Sequence, residues 1–185
     1  MDGQERIDVE IFKIVSKAIA KSDNLEMMTT HLSQLLVATL EIKGCAIFAL
    51  NTETKELEAL ASFGLSPGYL SKGPLLADKS IASALDGTAV IIPDLNKDNR
   101  LQYPEEAKAE GIAAILSIPI LFAKSVLGVL RLYHREVWHL SARDFDSLLI
   151  LAENIGLSLR YTRLLNALQA IQEAIKDIPL RLEDV

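Results

Sequence analysis

Arg131 is the one charged side chain inside the longest apolar run of the chain, Gly111 to Tyr133 (GIAAILSIPILFAKSVLGVLRLY). A guanidinium so placed can meet an anionic group through its planar fork of donors. It can equally form an ion pair with Asp94 or Glu110, or stand exposed at a strand end. Other chemistry-bearing groups are sparse. Asp94, Asn96, Asp98 and Glu105 fall at positions one, three, five and twelve of a calcium-loop spacing, but Asn99 stands where that loop needs glycine, and the segment follows a strand. Turn-forming Asp and Asn explain it more simply. Cys45, the single cysteine, lies in an apolar run and reads as a small core residue. It excludes an intramolecular disulfide and a cysteine-cluster metal site, and it fits a reducing cytoplasm. His31, His134 and His139 lack metal-ligand spacing. No phosphate loop, nucleophile with a base, or paired carboxylates are recognisable, so the sequence offers no catalytic constellation and names no cofactor.

The elements that must position these residues follow from periodicity. The apolar run cannot be one helix, because Pro119 and Gly128 would each damage its interior. It splits at the polar turn Ala123-Lys124-Ser125 into two strands, too apolar for a sheet edge. Before it, Ile7, Ile11, Ile14 and Ala18 predict an amphipathic helix. A cap at Ser22-Asp23-Asn24 opens a second helix, Leu25 to about Ile42, ended by Gly44. CAIFAL and ELEALASF predict a hairpin, with Leu57, Ala59 and Ala61 on one face of its second strand. Gly64 to Gly73 reads as loop with a turn at Pro67-Gly68. Asp78 or Ser80 is a candidate cap for a short helix through Ile81, Ala82 and Leu85, stopped by Gly87. Ala89 to Ile92 reads as a strand, and Pro104 to Gly111 as a short helix. Ser141 with Asp144 starts a long last helix.

That last helix changes character along its length. Leu148, Leu151, Ala152, Ile155 and Leu159 make one apolar face. Leu157, Tyr161, Leu164, Leu168, Ile171, Ile175 and Ile178 then repeat at four and three, up to Pro179. A second copy is the simplest cover for such a seam, and the first helix can join it in a four-helix bundle of two chains. Packing of the two terminal helices within one chain is the alternative. The net charge of −6 and the absence of a basic patch exclude a nucleic-acid surface. No signal peptide or membrane span is recognisable.

Six segments in order carry a family resemblance: GCAIFAL from Gly44, GTAVIIPD from Gly87, DNR from Asp98, EGIAAILSIPI from Glu110, LGVLRL from Leu127 and SARDFDSLLILA from Ser141. Over Leu25 to Leu159 the chain resembles a GAF domain, the small-molecule sensor module of cyclic-nucleotide phosphodiesterases, adenylyl cyclases and a bacterial formate-lyase activator. The resemblance implies an α+β fold, related to PAS domains, with a central antiparallel sheet of five or six strands. Helices would lie on one face, and a ligand pocket on the other, roofed by Gly64 to Gly111. The division is then 1–21 as a terminal helix, 22–160 as the domain and 161–185 as a coiled-coil extension. Gly128 would let a helix approach the sheet, with Leu130 and Leu132 facing the helices and Val129, Arg131 and Tyr133 facing the pocket. The pocket candidates are Phe63, Tyr69, Tyr103, Ser117, Arg131 and Tyr133. The chain lacks the cysteines of bilin-binding and methionine-sulfoxide-reducing relatives and the signature of cyclic-nucleotide binders. The expected function is a cytoplasmic sensor that binds an unidentified small molecule and signals, as a homodimer, through its terminal helices to an attached output domain. The competing reading is a dimerisation module with no ligand; an enzyme ranks last.

Overall fold

The computed structural model describes residues 24–77 and 86–176, together with 13, 16, 17 and 84. The first expected helix, the residues around Ile81, and Ile178 with Pro179 fall wholly or mostly outside these. In chain order the elements are α1 (Leu25–Leu40), β1 (Gly44–Leu50), β2 (Glu56–Phe63), α2 (Pro67–Leu70), β3 (Leu75–Leu76), β4 (Val90–Ile92), α3 (Pro104–Ala109), β5 (Ala114–Phe122), β6 (Ser125–His134) and α4 (Ala142–Lys176). The six strands form one antiparallel sheet in the order β3-β2-β1-β6-β5-β4. The apolar hairpin β5–β6 is therefore interior to the sheet, as its composition predicts.

Helix α1 starts where Asn24 accepts from the amides of Glu26 (2.8 Å) and Met27 (3.4 Å). Met28, Leu32, Leu36 and Leu40 recur every four residues and are all buried. Between them, Thr29 and Ser33 return their hydroxyls to Leu25 O (2.9 Å) and Thr29 O (2.8 Å), so burial leaves neither unbonded. The helix ends at Glu41, in the left-handed region at φ 53°, rather than at Gly44. Gly44 instead opens β1, where a Cβ would crowd Leu65 and the Phe63 carbonyl. The β5–β6 connection is tighter than the three-residue turn expected. Phe122 pairs with Ser125, and Ala123 and Lys124 both take positive φ, the two-residue geometry that matches strand twist.

Alternation along β6 divides the interior in two. Leu130 and Leu132 join Cys45, Ile47, Leu116 and Ile118 beneath α1 and α4. Val129 and Tyr133 join Phe48, Ile115 and the loop residues on the opposite face. The α4 residues Leu148, Leu151, Ala152, Ile155 and Leu159 all lie in the helix-side core, and Ser141 Oγ caps their helix by accepting from the Asp144 amide at 3.0 Å.

Three local expectations change. The register of β1 and β2 shifts between Ile47 and Phe48, so Ala59 is exposed while Leu60 packs toward the helices. A bulge resets the alternation that ELEALASF suggests. Pro67-Gly68 is not a turn but the first two positions of α2, capped by Ser66. Gly128 does not face a helix closely. A Cβ there would strike the Phe48 carbonyl and Ala49 Cα of the neighbouring strand. The close helix approach belongs to Gly156 of α4, where a Cβ would collide with the Leu121 backbone carbonyl.

Gly156→Ala gains about 1 kcal/mol of helix propensity but forces backbone against backbone. We expect a net loss of roughly 1–3 kcal/mol, as for overpacked cores, in chemical denaturation. Gly68→Ala, whose new Cβ would meet only Ser66 Oγ at an ordinary 3.9 Å, serves as the unstrained control. Equal stability of Gly156→Ala and wild type would contradict the close approach.

Candidate functional site

The face of β6 turned away from the helices carries Arg131, which is 1 % exposed. Its placement is forced. Arg131 pairs with Ala46 of β1 on one side and Ser117 of β5 on the other, so strand edges offer it no route to water. Its Nε donates to Ser117 Oγ at 3.0 Å, and its guanidinium carbon stands 6.0 Å from the centre of the Phe48 ring. Neither carboxylate proposed from sequence is its partner. Asp94 pairs with Lys97 at 3.2 Å, and Glu110 with Lys43 at 3.2 Å. Nor does Arg131 stand exposed at a strand end.

Two residues on, Tyr133 is fully buried on the same face. Its hydroxyl lacks a hydrogen-bond partner of good geometry. Burial pushes this phenol up to about 12, against the opposing pull of Arg131. Tyr69 of α2 meets Tyr133 ring to ring at 5.9 Å and 88°. Burial, then the neighbouring Tyr133, pushes the Tyr69 phenol up as well.

Lys72, which the sequence reading did not single out, completes this group. Its Nζ lies 3.8 Å over the Tyr69 ring and donates to the Tyr69 carbonyl at 2.9 Å. Burial, followed by the charge of Arg131, lowers it to about 8. Only the short helix α2, read from sequence as loop, brings Lys72 back over Tyr69. No periodic signal marks it.

The loops around this face are tied down by polar contacts. Glu110 accepts from the amide and hydroxyl of Ser66 and from Lys43, which joins α2 to the end of α3. The hydrogen bonds from Ser66 hold the Glu110 carboxyl below its ordinary value despite desolvation. Gln102 and Tyr103 both donate to Pro74 O, at 3.1 and 3.0 Å. Arg100 grips Asp98 and donates to Ile91 O on edge strand β4 at 2.8 Å. Asp94 and Asp98 are thus turn and ion-pair residues, with Asp94 Oδ1 accepting from the Asn96 amide at 3.0 Å.

Of the six pocket candidates, Ser117, Arg131, Tyr133 and Tyr69 come together, and Tyr103 lies half-buried at the rim. Phe63 does not join them: it is 43 % exposed at the end of β2. Cys45 lies on the helix side, and burial pushes its thiol up to about 12, which suits a core residue. His134 stacks on Trp138 at 5.3 Å and accepts from the Glu136 amide at 3.0 Å, a turn role. A concavity of about 380 Å³ lies elsewhere, between Leu25, Thr29, Leu60 and Asn166.

A family model described as a GAF domain matches residues 23–160. Among solved structures, the chain is similar to the GAF domain of a phosphoenolpyruvate-protein phosphotransferase from Coxiella burnetii, at TM-score 0.76 and 19 % identity, covering 86 % of this chain and 96 % of that one. A free methionine-R-sulfoxide reductase from Neisseria meningitidis, in complex with its substrate, matches at TM-score 0.71 and 12 % identity, covering 88 % and 98 %. A domain of a sensor histidine kinase protein from Sinorhizobium meliloti 1021 matches at TM-score 0.60 and 15 % identity, covering 88 % and 98 %. No curated protein matches.

The lowered Lys72 has a measurable sign. The unfolded chain binds its proton more tightly than the folded one, so folding stability should rise between about pH 8 and about pH 10. Tyr69 and Tyr133 act oppositely: their raised values give stability that is complete below about pH 10 and lost above it. Lys72→Met should flatten the rise from pH 8 to 10 in thermal melts. A rise of the same size in the variant would show that Lys72 is not its source.

Proposed function

The chain belongs to the GAF family, the sensor modules of signalling proteins, and we propose that it serves as a regulatory domain whose small-molecule ligand binds on the face of β6 opposite the helices. The observation that carries this reading is Arg131, buried at the centre of the sheet beside the unsatisfied hydroxyl of Tyr133. A buried charge is costly unless it is paired and hydrogen-bonded, and Arg131 keeps interactions besides Ser117, so in this proposal the ligand joins an already engaged guanidinium. Tyr69, Tyr103, Ser117, Arg131 and Tyr133 are the binding residues in this proposal, and Phe63 is left outside them. No catalytic role is assigned, and the ligand's identity stays open.

The output path in this proposal is β6 itself. Val129, Arg131 and Tyr133 face the ligand side, while Leu130 and Leu132 touch the core beneath α4. A ligand that favours one of two β6 positions shifts α4 by that difference in affinity and by no more. Beyond its own core contacts, α4 exposes Leu157, Tyr161, Leu164, Leu168, Ile171 and Ile175, with Leu164 at 59 %. On the heptad, Tyr161, Leu168 and Ile175 take one seam position and Leu157, Leu164 and Ile171 the other. The flanking positions hold Ala167, Ala174, Leu165 and Gln172 rather than opposite charges. A stripe that broad suits a bundle of more than two helices, supplied by a second copy and carrying the signal to an attached output domain. No described helix is long and apolar enough to cross a membrane.

The second reading, a dimerisation module without ligand, is favoured by the apolar side chains that share the Arg131 face, such as Phe48, Ile115 and Val129. Native mass spectrometry of the protein as purified distinguishes the two. A dimer carrying a bound small molecule is expected. A dimer with no adduct, which also shows no thermal stabilisation by any compound in a metabolite collection, would favour the second reading. Leu164→Glu together with Leu168→Glu should give a monomer by light scattering, with the domain still folded. A wild-type protein that is monomeric at high concentration would remove the paired-helix output.

A further inference from the structure

The apolar stripe of α4 does not begin where the helix leaves the domain. Ile150 stands seven residues before Leu157 and is 51 % exposed, so it extends the row of Leu157, Leu164 and Ile171 backwards by one heptad. Asn154, also exposed, stands seven residues before Tyr161 and opens the other row. At this level α4 is still packed on its sheet. Leu151, Ala152 and Ile155 lie in the helix-side core, and Gly156 sits against the Leu121 backbone. Ile150, Asn154 and Leu157 are therefore on the side of α4 turned away from its own domain. The stripe is narrow here. Glu153 and Arg160 flank it on one side, and Ser158 on the other. Arg160 leans back on its own domain, 5.8 Å from the centre of the Phe122 ring. A seam two residues wide with polar flanks suits contact between two helices, and only the distal stripe is broad enough for a larger bundle. Asn154 is the one side-chain amide on the seam from Ile150 to Ile175.

We infer that a second copy of the chain lies along α4 from Ile150 onward, parallel and in register, with Asn154 meeting Asn154 of that copy. The inference rests on the paired-helix output proposed above and adds its direction and register. In a parallel pair held in register each seam position faces itself, so amide meets amide. Asn154 Nδ2 already donates one proton to Ile150 O at 2.9 Å. Its second N–H and its Oδ1 can then exchange hydrogen bonds across the pair. Antiparallel pairing sets one row against the other. Every member of the row that Asn154 would face, from Ile150 to Ile171, is Ile or Leu, so the amide would be buried against hydrocarbon. One antiparallel register has a counter-attraction, because it brings Glu153 beside Arg160 of the other copy. It also sets Asn154 on Leu157, Leu164 on Ser147 and Leu168 on Arg143, and exposed ion pairs contribute too little to offset that. The parallel seam from Ile150 to Ile175 runs for about 38 Å. Its seven exposed large apolar side chains, at roughly 100 Å² each, offer about 700 Å² per copy, close to the ~800 Å² per partner of a stable interface.

Disulfide trapping in the full chain reads the direction. Tyr161→Cys should give a self-linked dimer under mild oxidation, and an equal mixture of Tyr161→Cys with Ile150→Cys should give no mixed dimer. The wild type, whose only cysteine, Cys45, is buried in the core, should stay unlinked. Asn154→Leu should tighten self-association about tenfold in analytical ultracentrifugation, since a polar seam residue costs stability. In that background the mixed disulfide should appear, because no amide then penalises the antiparallel pair. A mixed disulfide while Asn154 is present, a dimer that Tyr161→Cys does not trap, or an Asn154→Leu variant that stays parallel and associates no more tightly would overturn the Asn154 register while leaving a paired-helix output. A wild type that is monomeric at high concentration would overturn both.

Discussion

Strand β6 has no free side. β1 and β5 bond both of its edges, the helices cover one face, and the loops from β2 to α3 cover the other. A strand in that position must satisfy two cores at once, because its side chains alternate between them. Leu130 and Leu132 are the helix-side half of that requirement, and Val129 and Tyr133 the other half. Arg131 is the charged exception to the pattern, and it is buried like its neighbours.

That one exception organises the far face. Ser117 on β5 takes one donor of the guanidinium, the Phe48 ring of β1 lies 6.0 Å from its carbon, and Tyr133 brings a buried hydroxyl without a hydrogen bond of good geometry. The roof is then held by side-chain clamps rather than by further sheet: Glu110 to Ser66 and Lys43, and Gln102 and Tyr103 to Pro74. These clamps add to an apolar cluster in which Tyr69, Leu75, Leu95 and Leu101 of the same loops are buried. The same strand that would feel the ligand touches the core of α4. In that sense sensing and output are proposed to share one element.

Much of this was legible in the chain. Pro119 and Gly128 argued against a helix, and the polar turn Ala123-Lys124-Ser125 pointed to the hairpin, one residue longer than the turn observed. From Arg131, counting by two put Tyr133 beside it and Leu130 opposite. What stayed hidden depends on contacts distant in sequence. The bulge that turns Leu60 toward the helices arises from pairing with β1, which a strand's own alternation does not encode. Gly128 and Gly156 look alike as letters. Only the crossing of α4 over Leu121 shows that the second makes the close approach, while the first is crowded by its neighbouring strand. Lys72 follows a Pro-Gly pair that signals a turn, and the capping of α2 by Ser66 is what swings it over Tyr69.

The claim beneath the rest is that the Arg131 face of β6 is where a small molecule is proposed to bind. Native mass spectrometry of the wild type beside a folded Arg131→Met variant measures this directly. The account predicts an adduct on the wild type that the variant loses. An adduct kept in full by the variant, or none on either protein, would contradict the account.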